Sequence, residues 1–479
     1  MLFPAFDLRC LRRMLGAVLA VGATAAWANP GMSWPAEVDA ALARAKLPRE
    51  ALSVYVADAQ DARASARLAY RAQEPVNPAS VMKLVTTYAA LDLLGPAYTW
   101  STPVYIDGVV QGGSLKGNVY IQGQGDPKLV LERLWLLLRR LQAQGVQVIV
   151  GDIVLDRSAF TVPAHDPGRF DGEPLRPYNA APDALLLNYK SVVMTFVPDP
   201  VAGVARVQYD PPLAGVQLQP TVPLAPATAE CGDWRAGLRA DLGNPERTVF
   251  QGSYSARCAE RVWAVAYADP AGFAARAVEG MWRELGGKLT GRVRDGQVPA
   301  GLRPAFQSIS PALAEVVRDV NKYSNNVMAQ HVFLSLALQK NPVASFEGAQ
   351  EVLLQWWRAR LGDQAPPVVD NGAGLSREAR VSALGLGRML QQAWVSPVMP
   401  ELVSSLPIVG IDGTLRRSKS KAGAAHLKSG SLRDVLAVAG YVHAASGRRY
   451  VLVAIVNHPS AAAARPVLDA LVDWTGRDQ

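Results

Sequence analysis

Asn77-Pro78-Ala79-Ser80-Val81-Met82-Lys83 opens a run in which Val81, Leu84, Val85, Tyr88 and Leu91 recur at helical spacing before Gly95. Asn77 suits the N-cap, and Pro78 suits the first helical position, where its missing N–H costs nothing. The segment predicts a helix whose first turn carries Ser80, with Lys83 three residues on along the same face. A serine hydroxyl is a weak nucleophile until a base takes its proton. Lysine can be that base only where burial or nearby positive charge lowers its pKa. The positive end of the helix dipole also favours an oxyanion beside Ser80. A Ser with Lys three residues later arises by chance about once per few hundred positions, and Ser418 with Lys421 is a second match. That pair lies in a Lys/Ser/Gly/Ala stretch without apolar periodicity and reads as a surface loop.

Two further segments give Ser80 its chemical context. Lys322-Tyr323-Ser324-Asn325-Asn326 separates two apolar-periodic runs, residues 313–320 and 327–338. It predicts a tight loop between helices that turns Ser324 and Asn326 inward. His426-Leu427-Lys428-Ser429-Gly430-Ser431-Leu432 precedes two apolar strands, residues 435–442 and 450–456, joined at Ser446-Gly447. Lys428 is then expected on a strand, with Gly430 letting a substrate backbone approach closely.

Elsewhere, Leu52-Ser53-Val54-Tyr55-Val56 reads as a strand. Residues 97–304 hold short β-like runs broken by Gly and Pro, with one helix over residues 129–143. At 479 residues, two or three domains are expected. The simplest architecture is α/β (α+β). One domain is split in sequence, residues 29–96 and 305–479, around a mostly β insertion that forms one or two extra domains.

In their order, Ser-x-x-Lys, Ser-x-Asn and Lys-Ser-Gly resemble the three signatures of penicillin-recognising serine enzymes. The long separation of Ser80 from Ser324 narrows the resemblance to the penicillin-binding protein 4 type of D-Ala-D-Ala carboxypeptidase/endopeptidase, peptidase family S13. Residues 123–127, 151–156, 179–182, 370–376 and 410–415 are similar to that family as well. The resemblance implies a penicillin-binding/β-lactamase-like transpeptidase domain and no cofactor or metal. It implies cleavage of peptidoglycan stem peptides ending in D-Ala-D-Ala and of their cross-bridges, and acylation by β-lactam antibiotics. By position, Ser80 is the acylated nucleophile and Lys83 the general base. Ser324 relays protons to the leaving amine, and Asn326 holds the substrate amide. Lys428 attracts the terminal carboxylate and lowers the pKa of Lys83, Ser429 bonds that carboxylate, and Gly430 admits the substrate. The backbone N–H groups of Ser80 and Ser431 form the oxyanion hole. Asp171 lies where some relatives bind the free amino group of diaminopimelate, and it reads equally as an exposed loop acid. Ser429 stands where the family often has Thr, keeping the hydroxyl, and Asn325 stands where Asp is common.

The chain starts with Arg9, Arg12 and Arg13 ahead of an apolar run and Ala26-Trp27-Ala28. This reads as a secretory signal peptide, residues 1–28. An uncleaved anchor is the alternative, for which the run is short. The mature protein is expected in the periplasm, soluble or peripherally associated with membrane or wall. Three Arg and one Asp leave with the signal, taking the formal net charge from +8 to +6. The remaining Lys and Arg are scattered, which gives no support to nucleic-acid binding. Cys10 leaves too. Cys231 and Cys258 in an oxidising compartment predict a disulfide, with two buried thiols as the alternative. Without a nearby histidine they cannot complete a zinc shell.

His165, His331, His426, His443 and His458 form no His-x-x-x-His pair and predict packing or surface positions, and Trp356-Trp357 predicts core. Two other readings share the pattern: a β-lactamase, for which no glutamate-bearing deacylation loop is recognisable, and a non-catalytic wall-binding protein. The second would have no need of every acid–base residue. No pattern sets the oligomeric state.

Overall fold

Apolar runs from the two ends of the chain meet in one sheet. The structure, a computed structural model, describes residues 34–478 apart from 364–365. The signal peptide expected over residues 1–28, with Cys10, lies outside the described residues. Strands β1 (Leu52–Asp58), β2 (Leu68–Tyr70), β3 (Ala425–Leu432), β4 (Val435–His443) and β5 (Arg449–Asn457) pair antiparallel in the order β3-β4-β5-β1-β2. The register sets Val54 opposite Ala454 and Lys428 opposite Ala439.

Both faces of the sheet are covered, which is why β4 and β5 read as unbroken apolar runs instead of alternating. Successive side chains point to opposite faces. Val54, Val56, Val438 and Leu452 pack with helices α1 (Ala36–Ala45) and α7 (Arg465–Gly476). Tyr55, Ala57, Ala437 and Val453 pack on the other face, into a core that also takes α2 (Lys83–Leu94), α3 (Leu313–Tyr323), α4 (Asn326–Leu338), α5 (Phe346–Leu361) and α6 (Ala383–Trp394). Helix α4 is buried on every side from Asn326 to Ala337, so apolar residues fall on all of its faces and its polar Asn326, Gln330, His331 and Ser335 are interior too. Each fully buried Leu, Val or Phe in that core contributes about 1.5–3 kcal/mol, which fixes the polar residues at the helix ends in place.

Between these halves the chain builds further sheets. One of seven strands includes Ser101–Gln111, Ser114–Gln122 and Ile153–Asp156, and one of four includes Ser191–Asp199 and Arg261–Ala266. They share a core of Leu137, Leu141, Ile149, Phe196 and Trp282. The expected helix is present as Leu131–Ala143, but the sequence reading missed a second, Phe273–Glu284. Its Phe273, Ala277, Val278 and Met281 do recur at helical spacing, while Gly280 weakens the propensity. That glycine is required by packing, because a Cβ there would lie 2.2 Å from the carbonyl oxygen of Pro212.

Cys231 and Cys258 are joined, 27 residues apart in sequence. Closing a loop of that length in the unfolded chain stabilises the fold by about 3–4 kcal/mol. The non-reduced mature protein should therefore yield a linked peptide pair in mass spectrometry. Two alkylatable thiols would contradict the bridge.

Candidate active site

The turn that carries Ser80 is tighter than its sequence suggests. Residues Ala79–Met82 form a 3-10 turn and the α-helix proper starts at Lys83, which corrects the expected helix capped by Asn77. The Asn77 side chain bonds locally instead, a competing habit of asparagine. Its Oδ1 accepts from the Ala79 N–H at 2.9 Å and its Nδ2 donates to the Ser376 carbonyl at 2.9 Å. Ala79 is left-handed, φ 48°, a conformation that costs a non-glycine residue of order 1–2 kcal/mol. The sheet holds the turn in that state. Asn457 of β5 accepts from the Asn77 N–H at 3.0 Å and donates to its carbonyl at 2.9 Å.

Lys83 is fully buried. Its Nζ lies 2.9 Å from Ser80 Oγ, 2.6 Å from Asn326 Oδ1 and 2.6 Å from the Ala373 carbonyl oxygen. All three partners are neutral, so no contact compensates an ammonium charge. Burial pushes the Lys83 pKa well below the lysine range, and the positive charge of Lys428 adds to the shift. A neutral amine keeps two donors for Asn326 and Ala373 and presents its lone pair to the Ser80 hydroxyl.

Ser324 closes α3 with φ 58°, and Asn325 caps α4 by accepting from the Met328 N–H at 3.1 Å. Asn325 thus serves the helix, while Asn326 faces Lys83 and donates through Nδ2 to the Tyr178 carbonyl at 3.0 Å. Lys428 of β3 is fully buried and donates to Ser324 Oγ at 2.9 Å and to the Ser429 carbonyl at 2.6 Å. Burial lowers its pKa to about 7. Ser429 Oγ and Thr414 Oγ1 are 2.6 Å apart. The Thr414 loop is tied down by Asp412, which pairs with Lys322 of α3 and accepts from the Ile408 N–H at 2.7 Å.

Gly430 has a reason other than the expected one. A Cβ there would lie 2.6 Å from the Pro78 carbonyl oxygen and 3.1 Å from the Ser80 nitrogen. Strand β3 thus lies directly against the Ser80 turn, and the close approach is by the chain's own backbone.

A cleft of about 460 Å³ brings Ser80, Ser324, Asn326 and Ser431 together with Asp171 and Arg377. Asp171 accepts from Asn179 Nδ2 at 2.8 Å, Tyr178 Oη at 2.9 Å and the Glu173 N–H at 3.1 Å. Burial opposes its ionisation, but these bonds outweigh it and hold the carboxyl below the usual range. Lys83 and Lys428 reach this cleft from beneath, through Ser80, Asn326 and Ser324, while Ser429 and Gly430 line a second cavity that shares Ser80, Ser324 and Ser431 with it.

A family model described as the D-Ala-D-Ala carboxypeptidase 3 (S13) family matches residues 35–478. The chain belongs to that family. The D-alanyl-D-alanine carboxypeptidase DacB of Haemophilus influenzae is 25% identical over 341 residues, 70% of each chain. A D-alanyl-D-alanine carboxypeptidase of an Actinomadura species is 27% identical over 388 residues, 76% of this chain and 70% of that one. The crystal structure of penicillin binding protein 4 (dacB) from Haemophilus influenzae is similar in fold, with TM-score 0.71 at 23% identity. That likeness covers 92% of this chain and 99% of the other.

In this S13 chain the second Ser-x-x-Lys match is a loop, where Ser418 Oγ donates to Asp469 at 2.7 Å and Lys421 is exposed. Trp356 and Trp357 are buried. His331 is buried between the Asp183 N–H and the Gly125 carbonyl, and burial lowers its pKa to about 4, so it packs as a neutral ring. Among the described residues no helix is long and apolar enough to cross a membrane.

Sequence reasoning gave no role to Ala373, Tyr178 or Thr414. Ala373 meets Lys83, and Tyr178 meets Asn326, through backbone oxygens, which leave no residue-type signal, and the Tyr178 hydroxyl bonds Asp171. Thr414 lies in residues 410–415, a stretch whose family resemblance was the available clue.

Proposed function

We propose that this S13 chain is a serine D-Ala-D-Ala carboxypeptidase that also cuts D-alanyl cross-bridges of peptidoglycan, through an acyl-enzyme on Ser80. The observation that supports it most is the buried Lys83 amine, 2.9 Å from Ser80 Oγ with neutral partners only. Lys83 takes the Ser80 proton as Oγ bonds to the carbonyl carbon of the penultimate D-Ala. The Ser80 and Ser431 N–H groups receive the oxyanion. Ser324, held by Lys428, passes its hydroxyl proton to the leaving nitrogen and takes back the one that Lys83 collected, and the C–N bond breaks. Asn326 orients the substrate amide, while Lys428 and Ser429 receive the terminal carboxylate. Water then attacks the acyl carbon as Lys83 accepts its proton, and Lys83 returns that proton to Ser80 Oγ as the acyl–Oγ bond breaks. β-Lactams acylate the same oxygen.

In this reading residues 29–96 and 305–479 form the catalytic domain, residues 97–304 are accessory, and a signal peptide over residues 1–28 sends the chain to the periplasm. Asp171, anionic in the acyl side of the cleft, binds the free amino group of a diamino acid in the stem.

Digestion of purified muropeptides, with products identified by mass, tests both levels. Pentapeptides should lose one D-Ala and cross-linked dimers should fall to monomers. Unchanged muropeptides would overturn the function. Asp171→Asn should raise KM several-fold for stems with a free amino group and leave an N-acetylated stem as it was. Equal effects on the two would remove Asp171 from recognition.

A further inference from the structure

Two cavities meet at Ser80, Ser324 and Ser431. One leads to Asp171 and Arg377. The other, of about 270 Å³, runs past Ser429 and Thr414, behind β3, to Arg465 and Asp469. Ser429 lines only this second arm, so a leaving group whose carboxylate is held at Ser429 departs into it.

The arm is larger than the departure of alanine requires. Its volume equals roughly nine waters of the liquid, more than one methyl, one amine and one carboxylate fill. Its floor is apolar, built by Leu427, Leu436 and Leu468, all buried. Its far end is polar. Asp469 is engaged by Ser418 at 2.7 Å, whereas the side chain of Arg465, the exposed first residue of α7, makes no hydrogen bond or ion pair with the other described residues. An aliphatic path that starts at a carboxylate subsite and ends at an uncommitted guanidinium suits a long, doubly anionic leaving group.

We infer that this arm is the leaving-group site for cross-linked peptidoglycan. The departing amine belongs to a diamino acid whose α-carboxylate sits at Ser429. Its methylene chain crosses Leu427, Leu436 and Leu468, and Arg465 receives a further carboxylate of the acceptor peptide. Arg465 is thus a residue that sets specificity for cross-bridges over free stem ends. The inference rests on the function proposed above.

The test compares kcat/KM on a cross-linked muropeptide dimer with kcat/KM on a pentapeptide monomer, each normalised to the fraction labelled by penicillin. Arg465→Glu should lower the dimer-to-monomer ratio by about ten-fold, the size of one charge-assisted contact. Arg465→Lys should keep the ratio within about three-fold of the parent chain, since the charge is retained. A ratio within two-fold of the parent in Arg465→Glu would overturn the leaving-group site while leaving the function intact. A parent chain that cuts neither substrate would overturn the function, and the site with it.

Discussion

Lys83→Met should lower the rate of acylation, by peptide and penicillin alike, at least about 10³-fold, in the range for removal of a general base. Methionine nearly matches lysine in length and is apolar, so it fills the same buried channel beside Ser80. The loss then reports proton transfer and not shape. A second readout separates the charge from the packing. The folded-state pKa of Lys83 is depressed by burial and by Lys428, so between that value and the ordinary lysine range the unfolded chain binds more protons than the folded one. The stability of the parent chain should therefore rise with pH across that window, up to about pH 10.5. In Lys83→Met that part of the slope should vanish in denaturant unfolding measured from pH 6 to pH 10. An acylation rate within ten-fold of the parent would remove Lys83 as the base.

Lys428→Met should cost about 10²-fold in kcat/KM on D-Ala-D-Ala substrates, because the terminal carboxylate enters a partly desolvated cleft without its counter-charge. It should also move the pH profile. Lys83 must be neutral to act, so the rate climbs as pH rises through the Lys83 pKa. Removing the Lys428 charge removes one cause of that depression, and the climbing limb shifts to higher pH. The parent profile should fall again as Lys428 loses its own proton near its lowered pKa of about 7. That falling limb should be absent in Lys428→Met. Activity thus needs the window in which Lys83 is neutral and Lys428 is charged. Lys428→Arg keeps a charge that does not titrate and should retain more activity than Met. Equal losses in the two variants would mean that geometry outweighs charge at this position.

The parts of the site that the sequence discloses are those carried by residue type on a periodic element. Ser80 and Lys83 announce themselves at i and i+3 of a helical run, and Lys428 on a strand ahead of two apolar strands. Ser324 and Asn326 are legible because two amphipathic runs bracket them. The sheet's central strands are legible because burial of both faces leaves unbroken apolar stretches.

What stays hidden is set by long-range backbone contacts. The Ala373 carbonyl that accepts a hydrogen bond from Lys83 lies 290 residues away in sequence. The left-handed Ala79 rests on a local bond to Asn77, but Asn77 itself is anchored by Asn457 and Ser376, 380 and 299 residues away, which no local pattern announces. Gly430 invites a reading about substrate, yet the neighbour that excludes a side chain is the Pro78–Ser80 backbone. Phe273–Glu284 is overlooked because its Gly280 answers to Pro212, in another part of the fold.

Every step of the mechanism passes through acylation of Ser80. Exposure of the mature chain to labelled penicillin, proteolysis and mass mapping of the adduct tests it most directly. One adduct is expected, on the peptide containing Ser80, and none in Ser80→Ala, whose fold should be intact because a half-buried serine in a tight turn contributes little packing. An adduct on Ser418, or labelling that persists in Ser80→Ala, would contradict it.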